Sequence, residues 1–136
     1  MRILALDHGS ARCGVAISDP SGTLATPLEP VPRPDTRKGL QRIAALVAES
    51  GAGRVVVGLP VSLGGGDSGQ TRAAREFAER LRAAVPVPVE LYDERFTTSL
   101  ARQAGGSGSL DSRAAAVLLD EWLTTVGHLP IEGETE

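Results

Sequence analysis

The sequence predicts an α/β fold built on a five-stranded mixed sheet with helices on both faces. Three short apolar segments separated by tight turns occupy residues 2–31, and such turns join antiparallel neighbours. Two helix–strand units and a last helix follow. The fully apolar run at 55–60 is typical of a strand covered on both faces. We expect one domain over residues 1–126 and a flexible acidic tail over residues 127–136.

Apolar runs bounded by glycine or proline mark the strands. Residues from Gly9 to Gly14 are predicted to form a turn after the first strand, and Gly22 belongs to the next predicted turn. Pro27 and Pro30 confine the third strand to an edge, because proline has no N–H to donate to a neighbour. The expected strands are 2–7, 15–19, 24–31, 55–60 and 87–92.

Apolar residues at helical spacing mark the helices. The first helix carries Ile43 and Val47 and is closed by Gly51 with Gly53. The other predicted segments are a helix with Ala74, Phe77, Ala78, Leu81 and Val85, a short helical stretch at 98–104, a glycine-rich connector at 105–109, and a last helix from about Asp111 with Ala115, Leu118 and Trp122 on one stripe.

Composition excludes several classes of protein. No apolar run reaches the roughly 20 residues that span a bilayer, and we expect no membrane partner. A single cysteine rules out an internal disulfide and suits the cytoplasm. A net charge of −3 argues against strong non-specific nucleic-acid binding but not against a nuclease. Aromatic residues make up only 3%, too few for a platform that stacks single-stranded bases.

Carboxylates at strand ends are the candidate site residues. Asp7 ends the first strand, where α/β proteins place their sites, although by itself its position favours a turn-forming aspartate. Asp93 and Glu94 end the fifth strand, and alternation points them to opposite faces. Glu94 is the preferred ligand. The alternative for Glu94 is an exposed ion pair with Arg95 or Arg102.

Asp111 begins the buried stripe of the last helix and should therefore face the sheet. Aspartate is also a favoured helix cap, and spacing does not separate the two roles. Together with Asp7 and Glu94 it could coordinate Mg²⁺ or Mn²⁺, which prefer oxygen ligands. Two such ions could support phosphodiester hydrolysis. His8 should point away from Asp7, and no Cys/His set has the spacing of a zinc site.

Four ordered blocks resemble the YqgF family of RNase H-like proteins, described as pre-16S rRNA nucleases or Holliday junction resolvase-like proteins. The blocks are Leu4 to Asp19, Val56 to Pro60, Asp93 to Thr98, and Asp111 to Leu119. The resemblance implies an RNase H-like fold, with Asp7, Glu94 and Asp111 as catalytic metal ligands. It also implies substrate contacts from Arg12, Arg95, Thr97 and Thr98. The alternatives are a solvated turn residue for Arg12 and caps of the following helix for the two threonines.

This chain departs from the family at two places. His8 stands where an apolar or aromatic residue is usual, and the connector at 105–109 lacks the Lys/Arg-rich segment of many relatives. The implied function is a metal-dependent nuclease in maturation of the 5′ end of the 16S rRNA precursor. A Holliday junction resolvase-like DNA endonuclease or a non-catalytic nucleic-acid-binding module are the alternatives. The expected partner is precursor rRNA or branched or single-stranded DNA, bound by a monomer or homodimer.

Overall fold

A computed structural model describes residues 1–9, 11–59, 69–93 and 110–125. Within these ranges the chain forms five strands and three helices. The strands are β1 Arg2–Asp7, β2 Arg12–Ser18, β3 Ala25–Pro32, β4 Ala52–Leu59 and β5 Val89–Asp93. The helices are α1 Arg37–Ser50, α2 Gly69–Ala84 and α3 Leu110–Thr125. In this part of the chain, no helix has the length and apolar character needed to span a membrane.

All five strands belong to one mixed sheet in the order β3-β2-β1-β4-β5. The pairs β1–β2 and β2–β3 are antiparallel, whereas β1–β4 and β4–β5 are parallel. Strands β1, β3, β4 and β5 therefore run in the same direction and finish at the same edge, here called the carboxyl end of the sheet. The predicted mixed sheet, with β3 as an edge strand, is confirmed.

Helices cover both faces of the sheet, as predicted. Strand alternation sends Leu4 and Leu6 to a core with α1 and α2, which we call the α1/α2 face. Ile3 and Ala5 point to the opposite α3 face. The largest buried side chains contributed by the helices are Ile43, Phe77 and Leu81 on the α1/α2 face and Leu118, Leu119 and Trp122 on the α3 face.

Several predicted boundaries are wrong, among them the start of β4, which is Ala52 rather than residue 55. Strand β2 begins at Arg12 rather than at residue 15, because Gly14 pairs with β1 and Arg12 with β3. Gly53 lies inside β4, and Gly51 alone ends α1 with a left-handed φ of 72°. Strand β5 starts only at Val89. The stretches 98–104, 105–109 and 127–136 lie outside the described residues.

A tightly packed corner joins β3 to α1 at the carboxyl end of the sheet. Thr36 caps α1, since its hydroxyl accepts a hydrogen bond from the Gly39 N–H at 3.1 Å and donates one to the Arg33 carbonyl at 2.7 Å. Arg33 has a left-handed φ of 47°. A Cβ on Gly39 would lie 2.1 Å from the Arg33 carbonyl oxygen, so only glycine permits this approach.

We expect Gly39→Ala to lower the free energy of unfolding by about 1–3 kcal/mol or more, because its methyl group meets backbone. Gly53→Ala is a matched control, since a Cβ there would meet only the flexible Met1 side chain, 2.5 Å away at Sδ. Urea unfolding of both variants checks this. Equal losses at the two sites would contradict the tight packing of the corner.

The β2–β3 turn is organised by Asp19. Its carboxylate accepts hydrogen bonds from the Ser21 hydroxyl at 2.6 Å and from the N–H groups of Thr23 and Leu24 at 2.8 and 3.1 Å. The Ser21 hydroxyl first, and then the two N–H groups, lower the pKa of Asp19 well below its ordinary 3.8. The ionised carboxylate therefore stabilises this turn.

Asp19→Asn should lower the melting temperature at neutral pH, where the carboxylate is ionised in both folded and unfolded chains. The folded pKa is depressed, so the stabilisation is present above 3.8 and is lost progressively as the pH falls below that value. Melting curves of both proteins should therefore converge in acid. A difference that does not change with pH would contradict this assignment.

Candidate nucleic-acid processing site

Asp7 is the last residue of β1 and lies at the carboxyl end of the sheet. It pairs with Gly14 of the antiparallel strand β2 and is half-buried. Alternation along β1 places it on the side of Ile3 and Ala5, both of which pack against α3. The carboxylate of Asp7 thus belongs to the α3 face.

The first turn of α3 reaches the same end of the sheet. The hydroxyl of Ser112 accepts a hydrogen bond from the Val15 N–H at 3.3 Å, across 97 positions of sequence. Val15 pairs with Leu6, the residue before Asp7. The pairing of β2 with β3 shifts register between Cys13 and Val15, and a side chain satisfies the buried N–H beside that irregularity.

Asp111 lies next to Ser112 within the first turn of α3, because the helix begins at Leu110. The predicted buried stripe of this helix is confirmed, since Ala115 and Leu118 are fully buried. The backbone of Asp111 therefore lies near the end of β1, on the face to which Asp7 belongs. The structure brings these two positions together.

The fifth strand brings its carboxyl end to the same edge. Asp93 is its last residue and pairs with Leu59, the last residue of β4. Tyr92 packs on the α3 face, whereas Leu91 packs on the α1/α2 face. Glu94 follows directly in sequence, and it lies outside the described residues together with Arg95, Thr97 and Thr98.

Glu90 attaches α3 to the sheet. Its carboxylate accepts a hydrogen bond from the Trp122 indole N–H at 2.7 Å and forms an ion pair with Arg54 of β4. Trp122 is only 3% exposed, so it is a core residue of this chain. Two contacts, at Ser112 and at Trp122, fix both halves of α3 on the sheet.

His8 turns away from Asp7, as the sequence predicts. Its ring packs against Phe77 with centroids 4.8 Å apart, on the α1/α2 face. Its Nε2 lies 2.9 and 3.0 Å from the two carboxylate oxygens of Asp35, an arrangement in which the imidazole N–H donates. His8 therefore links the end of β1 to the segment that precedes α1.

Arg12 is exposed at the start of β2 and pairs with Pro32 of β3. Cys13 and Val15 point to the α1/α2 face, so alternation places Arg12 on the α3 face. It therefore shares both an end and a face of the sheet with Asp7, and a cation there could contact an anionic substrate.

The described side chains contain no group of three or more His, Cys, Asp or Glu that could hold a metal ion. The side chains of Glu94 and Asp111 are not among those described. Of the three predicted ligands, the structure therefore gives burial and sheet face for Asp7 alone. The chemistry of the predicted set fits a hard divalent cation, since all three would offer carboxylate oxygens.

Sequence reasoning missed Ser112, Asp35 and the role of Glu90. Ser112 had a usable signal, because it lies three and seven positions before the buried residues Ala115 and Leu119 and should share their face. Asp35 is 27 positions from His8, and no local pattern links the two.

Comparison with known proteins gives a family match over most of the chain. The family model described as "RuvX: Holliday junction resolvase" matches residues 1–125. Proteins named "Putative pre-16S rRNA nuclease" are close relatives. The one from Rhodococcus erythropolis is 45% identical over 98% of this chain and 84% of its own length. The one from Thermobifida fusca is 46% identical, covering 90% of this chain and 86% of its own length.

Solved structures of Thermus thermophilus RuvC share the fold. The RuvC structure aligns with a TM-score of 0.56 and 15% identity over 93% of this chain and 97% of its own. RuvC in complex with Holliday junction substrate aligns with a TM-score of 0.57 and 16% identity over 93% and 96%. The predicted RNase H-like fold is thereby confirmed. The four sequence blocks indicated a resemblance to the YqgF family, and the family match confirms it. The chain belongs to this family, here described as RuvX.

Proposed function

We propose that this protein is a divalent-metal-dependent nuclease that hydrolyses phosphodiester bonds. One observation carries the proposal: the Ser112–Val15 hydrogen bond brings the first turn of α3 to the end of β1, where Asp7 lies. Two acidic positions 104 residues apart in sequence thereby share one end and one face of the sheet. Membership of a family described as a resolvase, with relatives named as nucleases, supports the same reading.

Glu94 is the proposed third acid, and the pattern of β5 favours it over Asp93. Glu90 contacts Trp122 of α3 and Tyr92 packs on the same face. Continuing this alternation by one period predicts that the side chain at position 94 points toward α3, and the one at position 93 away from it. Glu94 would then meet Asp7 and Asp111.

The three carboxylates would hold one or two Mg²⁺ or Mn²⁺ ions. Bound there, such ions would supply activation of a water and neutralisation of phosphodiester charge. Asp7 and Asp111 would supply oxygen ligands from two rigid elements, which fixes the relative position of those oxygens. Arg12, Arg95, Thr97 and Thr98 would bind the phosphates that flank the scissile bond.

The substrate we propose is the precursor of 16S rRNA, because the relatives are named as pre-16S rRNA nucleases. Cleavage at its 5′ end is the further proposal that follows from the family resemblance. A four-way DNA junction is the second candidate, because the family description names a resolvase. The nuclease domain would cover residues 1–126, followed by the tail 127–136. It would work in the cytoplasm as a monomer or homodimer.

Asp7→Asn, Glu94→Gln and Asp111→Asn should each lower the rate of cleavage by at least about a hundredfold, because each removes a charged metal ligand. Asp120→Asn is the matched control, since Asp120 is exposed farther along α3 and should retain full activity. Gel assays on precursor rRNA, single strands and four-way junctions measure the rates. Unchanged cleavage by Asp7→Asn would refute the proposed catalytic site.

Chelation of divalent metal should abolish cleavage, and added Mg²⁺ or Mn²⁺ should restore it. Mn²⁺ should also raise the melting temperature of the wild type more than that of Asp7→Asn, since at a fixed concentration a tighter-bound ligand stabilises the folded state more. Scanning calorimetry with and without Mn²⁺ measures this independently of substrate. If the wild type bound Mn²⁺ and nucleic acid but cleaved no substrate, a non-catalytic nucleic-acid-binding module would be the better interpretation.

A further inference from the structure

A cluster of exposed cations lies on the corner between β3 and α1. Arg33, Arg37 and Lys38 are all exposed, and none makes an ion pair within the part of the chain that the structure describes. We call these three residues the basic corner. The acid among them, Asp35, contacts His8 Nε2 with both carboxylate oxygens, but its side chain is 41% exposed, so it offsets part of the positive charge of the corner.

The basic corner lies at the carboxyl end of the sheet, where Asp7 is. Arg33 follows the last residue of β3, which pairs with Arg12, and its N–H donates to the Ala11 carbonyl at 2.9 Å. Strand β3 is two strands away from β1, which corresponds to about 10 Å at the usual strand spacing. A nucleic-acid strand crossing this end of the sheet would pass both features.

The corner is fixed to the loop that follows Asp7. Asp35 is hydrogen-bonded to His8 at 2.9 Å, and the His8 side chain is only 3% exposed. The close packing of Gly39 on the Arg33 carbonyl holds the other side of the corner in place. The backbone positions of its three cations are therefore fixed relative to the end of β1.

The corner keeps cations where local stability would favour other residues. Arg33 has a φ of 47°, a conformation in which glycine or asparagine is less strained. The first turn of α1 contains no acid, and its two cations oppose the helix dipole. Strain retained on a rigid surface beside a site is a reason to look for a function there.

We propose that the basic corner binds the phosphodiester backbone of the nucleic-acid substrate outside the metal site. The inference rests on the proposed function for the class of ligand. The whole chain carries a net charge of −3, so attraction for a polyanion has to come from local clusters of this kind. Phosphates spaced along one strand match several separate cations better than a compact anion does.

The test compares two double variants with equal loss of charge. Arg37→Gln with Lys38→Gln removes two of the three cations of the corner. Arg2→Gln with Arg80→Gln is the control, because Arg2 begins β1 at the opposite end of the sheet and Arg80 lies in the second half of α2. Fluorescence anisotropy would measure the binding of single-stranded RNA, duplex RNA and a four-way DNA junction at several salt concentrations.

The corner variant should bind about tenfold more weakly, and the slope of log K against log salt should fall by about 1.5 in magnitude, as expected for two lost phosphate contacts. The affinity and the salt slope should both stay near the wild-type values in the control and in the charge-preserving variant Arg37→Lys with Lys38→Arg. The three ligands show whether the corner discriminates RNA from DNA. Equal weakening in corner and control variants, or no binding by the wild type, would overturn the proposal.

Arg33→Gly gives a second readout that a structural role would not reproduce. It relieves the positive φ and removes a cation, so it should raise the melting temperature while weakening nucleic-acid binding. Unchanged binding by this variant would count against the corner. These outcomes are separate from catalysis: a wild type that binds with the predicted salt slope but does not cut would overturn only the proposed nuclease activity.

Discussion

The hydrogen bond from the Val15 N–H to the Ser112 hydroxyl determines where α3 starts on the sheet. It joins the helix to β2 at the residue that pairs with Leu6, one position before Asp7. The Glu90–Trp122 contact fixes the other half of the helix, so α3 cannot pivot about one point. The proposed site depends on this placement, because Asp111 lies directly beside Ser112.

Alternation at the end of β1 separates the two proposed binding sites. Asp7 belongs to the α3 face, whereas His8 points to the α1/α2 face and contacts Asp35 and Phe77. One strand end thus serves the proposed metal site on one side and the support of the basic corner on the other. A substrate that crosses the carboxyl end of the sheet would meet both, and the proposed hydrolysis and backbone binding would then share one surface.

Local sequence patterns predicted the strands and helices but not the contacts between residues far apart in the sequence. The apolar run of β1 and Asp7 at its end were predicted at the observed bounds, and the prolines of β3 correctly indicated an edge. The start of β2 was wrong because Arg12 is extended only by pairing with β3. Two contacts join residues that are far apart in sequence, Ser112 with Val15 and His8 with Asp35, and no local pattern predicts either of them. Alternation separates Asp7 from His8 correctly, but the residue that each meets depends on how the helices pack.

The central claim is that Asp7, Glu94 and Asp111 coordinate the same divalent metal. Crystals grown with Mn²⁺ and measured near its absorption edge test it most directly, since anomalous scattering locates the ion without reference to activity. We predict a peak about 2.0–2.4 Å from carboxylate oxygens of Asp7 and Asp111, with Glu94 completing the set. A fully occupied Mn²⁺ site elsewhere, with none at the end of β1, would contradict the account.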